Sequence, residues 1–298
     1  MRSGPLRVAA LGSSGTYGFC LSRERTWPLE MQRLSRVGGR PVEVSNFASP
    51  GLPLAAYAER LMHLREVYRP DMVVLQLPVY SRLYLGLNGT QRRRERDLTP
   101  AEVFGWTGVC DATTRASPTR VHLNRLLAVE GSAFFHLLEP WFYPPVVENN
   151  PAVSKEEFLA FARFWANNVA ESDLQHVQHG KEILFLQVLL DRWELPYLMF
   201  DWHAYNSRLD RCLGPFRELI DFTRYVREGA LTATEFVARH GDARAGELFV
   251  DGHGHMTAEG HRQLAARFLL PAFLPAVDAI LAEEETCHGP IPLRCDET

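Results

Sequence analysis

The sequence has few cysteines, and they are scattered along the chain. The five are Cys20, Cys110, Cys212, Cys287 and Cys295. An odd number without regular spacing is unlike a disulfide framework, and no Cys-x-x-Cys pair of the kind that binds zinc is present. We therefore expect a fold that does not depend on disulfides, with no bound metal.

A strong charge imbalance and a long hydrophobic run are also missing. The formal net charge of the 298 residues is -4, which gives no basic surface for nucleic acid or an anionic membrane. The apolar run near the N-terminus is too short for a signal peptide or a membrane span. We expect a cytoplasmic protein with no membrane span and no nucleic-acid partner. The sequence carries no indication of oligomeric state.

Repeats and low-complexity segments are absent as well, and the composition is that of an ordinary globular protein. The chain is 46% hydrophobic and 23% charged. Its length suits one large domain. We therefore interpret residues 1–298 as a single domain.

What the first third does contain is an alternation of buried strands and amphipathic helices. Strands are predicted over residues 6–11, 41–46 and 72–77, and helices over 26–37 and 54–68. The strands over 6–11 and 72–77 are mainly apolar runs, which is typical of a parallel sheet buried on both faces. Strands that alternate with helices through short connections predict an α/β fold with a central parallel sheet.

The remaining two thirds predict a less regular continuation. Residues from about 81 to 150 show no strong strand signal and are interpreted as a largely helical insertion over the active edge of the sheet. A helical stretch is predicted over 154–193, a fourth strand over 195–200, a short fifth strand over 247–250 and a closing helix over 257–270. A loose tail is expected from about residue 286.

Polar residues lie where each predicted strand ends. These are Ser14, Gly51, Tyr80, His203 and His255. Ligands bind at the carboxyl ends of the strands in open α/β sheets, so we expect these positions to share one edge. Ser14 stands in a glycine-flanked turn, Gly12-Ser13-Ser14-Gly15, where a nucleophile can be both exposed and rigid.

A serine nucleophile needs a base within hydrogen-bond reach and a third group that orients the base. The segment Asp251-Gly252-His253-Gly254-His255 supplies an acid and two imidazoles. We predict His255 as the base and Asp251 as the orienting acid, with His253 as a competing base. A second acid–imidazole pair, Asp201 and His203, is either a hydrogen-bonded pair in the core or, with His253, part of a substrate pocket.

Several of these segments resemble the sequence blocks of the SGNH (GDSL-like) hydrolase superfamily. Gly12-Ser13-Ser14 with Thr16 and Gly18 is similar to the first block, and the segment from Asn46 to Gly51 is similar to the second. The strand 72–77 resembles the one before the third block. His255, five residues before Gly260-His261, is similar to the closing block.

The resemblance implies a three-layer α/β/α fold of flavodoxin-like type. It also implies Ser14 as nucleophile, His255 as general base and Asp251 as its orienting acid. The backbone N–H groups of Ser14 and Gly51 would stabilise the oxyanion. Acyl transfer of this kind requires neither a metal nor an organic cofactor.

The chain departs from the family pattern in three places. The aspartate of the usual Gly-Asp-Ser is Ser13 here, and the acid lies four residues before the histidine instead of three. The third block, usually Gly-x-Asn-Asp, is replaced by residues 78–82, so the asparagine that donates to the oxyanion is missing. Tyr80, Arg82 and Asn88 are the candidate replacements.

Three functions follow from these patterns. The first is a serine acyl hydrolase of esterase or deacetylase type, acting on a small-molecule or carbohydrate ester. The second is an acyltransferase with the same machinery, because the predicted insertion can bind an acceptor and exclude water. The third is a catalytically degenerate binding protein, suggested by the missing asparagine. The acyl group and its acceptor leave no signature in the sequence.

Overall fold

The fold is described from a computed structural model. It describes residues 4–18, 21–37, 40–49, 52–78, 83–86, 132–135, 156–157, 160, 164, 173–203, 214–229, 231–242, 245–250 and 255–286.

The described part is built on a five-stranded sheet, whose strands are β1 (Leu6–Leu11), β2 (Arg36–Val37), β3 (Arg40–Asn46), β4 (Met72–Leu77) and β7 (Tyr197–Asp201). Their order in the sheet is β2-β3-β1-β4-β7. Four of them, β3, β1, β4 and β7, are parallel, and β2 runs antiparallel to β3 at the edge. The predicted α/β fold with a central parallel sheet is confirmed.

Helices cover both faces of this sheet, and each face has its own apolar core. On one face the strands pack against α2 (Trp27–Leu34) and the C-terminal helical segment. On the other face they pack against α3 (Tyr57–Val67) and the long helix Asp173–Arg192. Successive strand side chains point to opposite faces. Burial on both faces therefore explains why β1 and β4 are apolar except for Arg7 and Gln76.

Shorter elements complete the described chain. They are α1 (Ser14–Tyr17), the helices Ala233–His240 and Ala245–Leu248, and the 3₁₀ turns Arg23–Arg25, Leu54–Ala56, Gly214–Leu219 and Phe222–Arg224. The helix Ala233–His240 begins with a capping box in which the Thr232 and Glu235 side chains take part, an arrangement that satisfies backbone donors at the helix start.

The C-terminal helical segment is longer than predicted. It consists of an α-helix Ala258–Gln263, a π-helical stretch Leu264–Leu269 and an α-helix Leu270–Thr286. By length and composition alone, Ala258–Ala282 could cross a membrane, since 18 of its consecutive residues have a mean hydropathy of 1.7. The core helices of soluble proteins meet the same criterion, and 39% of these 18 residues are buried. The expected absence of a membrane span stays a prediction. The tail predicted from about 286 lies almost wholly outside the described residues.

Two predicted elements differ from the structure. The helix predicted over 26–37 ends at Leu34, and the next residues form β2 instead. The fifth strand predicted over 247–250 is instead the end of the helix Ala245–Leu248, followed by a single antiparallel bridge between Phe249 and Met256. A single antiparallel bridge between two residues that are close in sequence is too short to be a strand.

The predicted insertion over 81–150 also contains structure that the sequence did not indicate. Strand β5 (Leu83–Gly86) pairs antiparallel with β6 (Ser132–Phe135), and these two strands are the described part of the region. These two four-residue strands are a small part of the stretch, and the largely helical insertion stays a prediction. Pairing across such a sequence separation leaves no local pattern in a four-residue run.

Candidate active site

Ser14 lies in a tight turn, Gly12–Gly18, that follows β1 directly; we call it the Ser14 turn. Ser13 precedes the one-turn helix α1, and Gly18 ends it in the left-handed conformation with φ of 79°. A residue with a side chain adopts that conformation at a cost, which glycine avoids. At Gly12 a Cβ would overlap the Thr16 side chain, so glycine is required there for close packing.

The structure brings Ser14 and His255 together. The His255 Nε2 atom lies 3.0 Å from the Ser14 Oγ atom, and both side chains are half-buried. Within the part of the chain that the structure describes, the Ser14 N–H donates to no acceptor. A hydroxyl in contact with an imidazole can lose its proton as it attacks an electrophile, and an unpaired N–H beside it can stabilise a developing oxyanion.

Backbone hydrogen bonds hold the segment that carries His255. The Val250 N–H donates to the His255 carbonyl at 2.8 Å, beside the Phe249–Met256 bridge. The Thr257 N–H donates to the Leu248 carbonyl at 2.8 Å. These two hydrogen bonds join the described residues before and after 251–254, and they hold His255 just ahead of the helix Ala258–Gln263.

Gln76 on β4 lies directly beneath the Ser14 turn and is fully buried. Its Oε1 atom accepts the N–H groups of Ser13 at 3.0 Å and Thr16 at 3.1 Å, and the Thr16 hydroxyl at 2.8 Å. Its Nε2 atom donates to the Ser13 Oγ at 3.1 Å. The Gln76 side chain therefore connects Ser13, which precedes α1, and Thr16, within α1, to a central strand of the sheet.

Thr16 is held from two further directions. The Asn46 side-chain amide at the end of β3 donates to the Thr16 carbonyl at 2.6 Å. The Trp27 indole N–H at the start of α2 donates to the Thr16 hydroxyl at 3.3 Å. Asn46 and Thr16 are fully buried. The turn is thus connected to β3, β4 and α2 through polar groups that satisfy one another.

A buried histidine, His261, supports the site from behind. Its Nδ1 atom accepts the Trp27 backbone N–H at 3.0 Å, and its ring lies 6.0 Å from the ring of Trp202. Burial, and to a smaller degree the neighbouring His255, lowers the pKa of His261 to about 3. The side chain is therefore neutral near pH 7, as a buried hydrogen-bond acceptor that packs near Trp202.

The second predicted pair occupies a different environment. The Asp201 carboxylate at the end of β7 lies 3.6 Å from the Arg227 guanidinium, which also covers the rings of Phe222 and Tyr225 at 4.7 and 4.8 Å. Asp201 is buried and His203 is half-buried. An ion pair with Arg227 is a structural role that the sequence did not indicate, and the predicted pocket role of Asp201 and His203 stays a prediction.

The other predicted site residues lie outside the described residues. They are Gly51, Tyr80, Arg82, Asn88, Asp251 and His253. The chain that leads toward Gly51 does reach the site, because the Ser49 N–H donates to the Gly12 carbonyl at 3.1 Å. The predicted roles of these six residues stay predictions.

Sequence reasoning identified Ser14 and His255 but missed the residues that hold the Ser14 turn. The sequence indicates Gln76 and Trp27 only as parts of a strand and a helix, and Asn46 as the start of a segment similar to the second block. One signal was available for Gln76, since it is the single polar residue of the otherwise apolar strand Met72–Leu77. A polar side chain buried in such a strand needs a hydrogen-bond partner.

Comparison of the sequence with family models and with curated proteins gives no match. The functional interpretation therefore depends on the geometry of the site.

Proposed function

We propose that the protein is a serine-dependent acyl hydrolase of esterase or deacetylase type, similar to the SGNH superfamily. The observation that carries the proposal is the 3.0 Å contact between Ser14 Oγ and His255 Nε2. The contact lies beyond the carboxyl end of β1, at the edge where open α/β sheets bind ligands. The rigid turn around Ser14 adds support, because a nucleophile must be held in position to react efficiently.

The proposed reaction has two halves. Ser14 Oγ attacks the ester carbonyl while His255 Nε2 takes the hydroxyl proton, and the C=O becomes an oxyanion. The oxyanion collapses, the C–O bond to the leaving alcohol breaks, and His255 returns the proton to that alcohol. Water then attacks the acyl-enzyme with the same proton transfers, which releases the acid and restores Ser14.

Other residues have supporting roles in this proposal. The Ser14 N–H and the Gly51 N–H would donate to the oxyanion, with Tyr80, Arg82 or Asn88 in place of the missing asparagine. Loss of one such donor typically costs on the order of 10²–10³ in rate. Asp251 would orient the His255 ring and stabilise its charged form.

The topology supports the finer assignment of fold. Taken in chain order, the parallel strands β1, β3, β4 and β7 stand in the sheet as second, first, third and fourth. That is the order of the first four strands of flavodoxin-like sheets. The prediction of a three-layer flavodoxin-like SGNH fold is part of this proposal.

The experiment is labelling with a fluorophosphonate, in which the serine oxygen displaces fluoride from phosphorus. We expect one adduct per chain, mapped to Ser14 by peptide mass spectrometry, and we expect none in Ser14→Ala. Ser35→Ala is the matched control, because Ser35 is buried and its hydroxyl has no partner among the described residues. A folded wild-type protein that is not labelled, or is labelled elsewhere, would overturn the proposal.

A second measurement separates hydrolysis from acyl transfer, which share the acylation half. The rate of p-nitrophenyl acetate turnover is measured with and without added alcohols and amines. Under the proposal, turnover in water is fast and acceptors have little effect. A large acceleration by one acceptor would favour the acyltransferase alternative.

A further inference from the structure

We infer that Gln76 is a positioning residue that holds Ser14 in register with His255. The inference depends on the proposed function, because it assigns a role to a residue outside the predicted triad. The hydrogen bonds described for the Gln76 side chain do not include one to Ser14 itself. Its partners are Ser13 and Thr16, the residues on either side of the Ser14–Gly15 pair.

The first step is the helix start at Ser14. A helix exposes N–H groups in its first turn, and the side chain of the preceding residue normally accepts one of them. Ser13 occupies that preceding position but makes no such hydrogen bond. Gln76 Oε1 accepts the Thr16 N–H instead. The cap of α1 thus comes from a neighbouring strand, which fixes the turn relative to the sheet.

The second step is the rigidity of Gln76. Its strand, β4, lies inside the sheet between β1 and β7. The Gln76 carbonyl also accepts the Tyr57 hydroxyl at 2.7 Å, which joins the strand to α3. A side chain anchored in this way fixes the position of the Ser14 turn relative to the sheet.

The third step is the chemistry of an amide at this position. Gln76 accepts from three groups and donates to the Ser13 hydroxyl, and it remains neutral in a fully buried place. A hydrocarbon side chain there would leave buried N–H donors unpaired. A carboxylate would put a negative charge close to the site of the developing oxyanion. Glutamine supplies the acceptor without that charge.

The test compares Gln76→Leu with Gln187→Leu. Gln187, on the helix Asp173–Arg192, is the matched control because it is also a buried glutamine with hydrogen bonds to the backbone. Its amide accepts the Asp221 N–H and donates to the Asp221 carbonyl, both at 2.9 Å. The fluorophosphonate labelling rate is measured against probe concentration. We expect Gln76→Leu to lower the rate at saturation on the order of 10²-fold with little change in the half-saturating concentration. Gln187→Leu should change neither value. Equal rates in folded Gln76→Leu and Gln187→Leu would overturn the inference.

A milder pair protects the test against misfolding of Gln76→Leu. Thr16→Val removes the hydroxyl that donates to Gln76 Oε1, and Thr16→Ser keeps it. We expect slower labelling in Thr16→Val and recovery in Thr16→Ser. Loss of rate in both variants, or in neither, would contradict the positioning role.

Amide hydrogen exchange distinguishes failure of the inference from failure of the proposed function. We expect the Thr16 amide to exchange about tenfold faster or more in Gln76→Leu than in Gln187→Leu, because its acceptor is lost. This holds whether or not Ser14 reacts. If wild-type protein is not labelled at Ser14, the proposed function fails and exchange alone decides the role of Gln76. Unchanged Thr16 exchange in Gln76→Leu would overturn it.

Discussion

The His255 Nε2 atom lies 3.0 Å from the Ser14 Oγ atom, although 241 residues separate the two in the chain. Ser14 follows β1, and His255 lies shortly before the C-terminal helical segment. No local preference can create such a contact. It exists because both segments lie at one edge of a parallel sheet.

If the two residues act as a unit, their removal is not additive. We expect Ser14→Ala and His255→Ala each to lower the hydrolysis of p-nitrophenyl acetate by several orders of magnitude. The double variant should be no slower than the worse single variant within about tenfold. The measurement is kcat/KM for all three proteins. Losses that multiply in the double variant would show that the side chains act independently.

The two histidines near residue 251 differ in the expected effect of their removal. We expect His255→Ala to abolish labelling of Ser14 and His253→Ala to leave the labelling rate within about threefold of wild type, since His255 is the residue in contact with Ser14. Asp251→Asn should slow labelling on the order of 10⁴-fold if it orients the base. Labelling rates of the three variants check this, and a larger loss in His253→Ala would reassign the base.

Gly15 has no room for a side chain. A Cβ at this position would overlap the Trp202 ring, which is itself buried. We expect Gly15→Ala to lower the free energy of unfolding by about 1–3 kcal/mol through overpacking and to slow labelling of Ser14. Gly4→Ala is the control, because nothing lies within 4 Å of a Cβ there. Chemical denaturation and labelling of both variants test this, and equal behaviour would contradict it.

His261 makes stability depend on pH. Its pKa is lowered from the usual 6.5 to about 3, chiefly by burial. Between these values the unfolded chain binds a proton that the folded chain does not. The contribution of neutral, buried His261 to the free energy of unfolding is therefore fully present above pH 6.5. It is lost as the pH falls toward 3, by up to about 1.4 kcal/mol per pH unit. Urea denaturation between pH 7 and 5 should show this decline.

The variant for this prediction is His261→Asn, and Gln187→Leu is its control. Asparagine at 261 keeps an acceptor for the Trp27 N–H but does not titrate, so we expect lower stability at pH 7 and a flatter decline toward pH 5. Gln187 is buried and carries no titratable group, so Gln187→Leu should lower stability without changing the slope. An unchanged slope in His261→Asn would refute the assignment to His261.

The strands that were predicted well are those whose burial is complete. For β1 and β4 the predicted and observed bounds agree, because both faces of these strands are covered and all but one residue of each run is apolar. The predicted start of β7 lies two residues before the observed one, because Leu195 and Pro196 are apolar but are not part of the strand. The two-residue β2 has no periodicity that a pattern could reveal.

The site was predictable only in part for a related reason. A serine between glycines and an Asp–His loop are local patterns that indicate chemistry on their own. The contacts of Gln76, Asn46 and Trp27 with the Ser14 turn arise where three separate elements meet. Their residue types are compatible with many positions in a strand or helix, so only the three-dimensional structure assigns them to the turn.

The separation of Ser14 from His255 has a consequence for synthesis of the protein. Chains elongate at about 5–20 residues per second, so the serine precedes the histidine by roughly 10–50 s. Throughout that interval the nascent chain carries the hydroxyl without the imidazole that lies beside it in the folded protein. Any reactivity that depends on the pair is therefore absent until the segment that carries His255 has been synthesised and has packed beside the Ser14 turn.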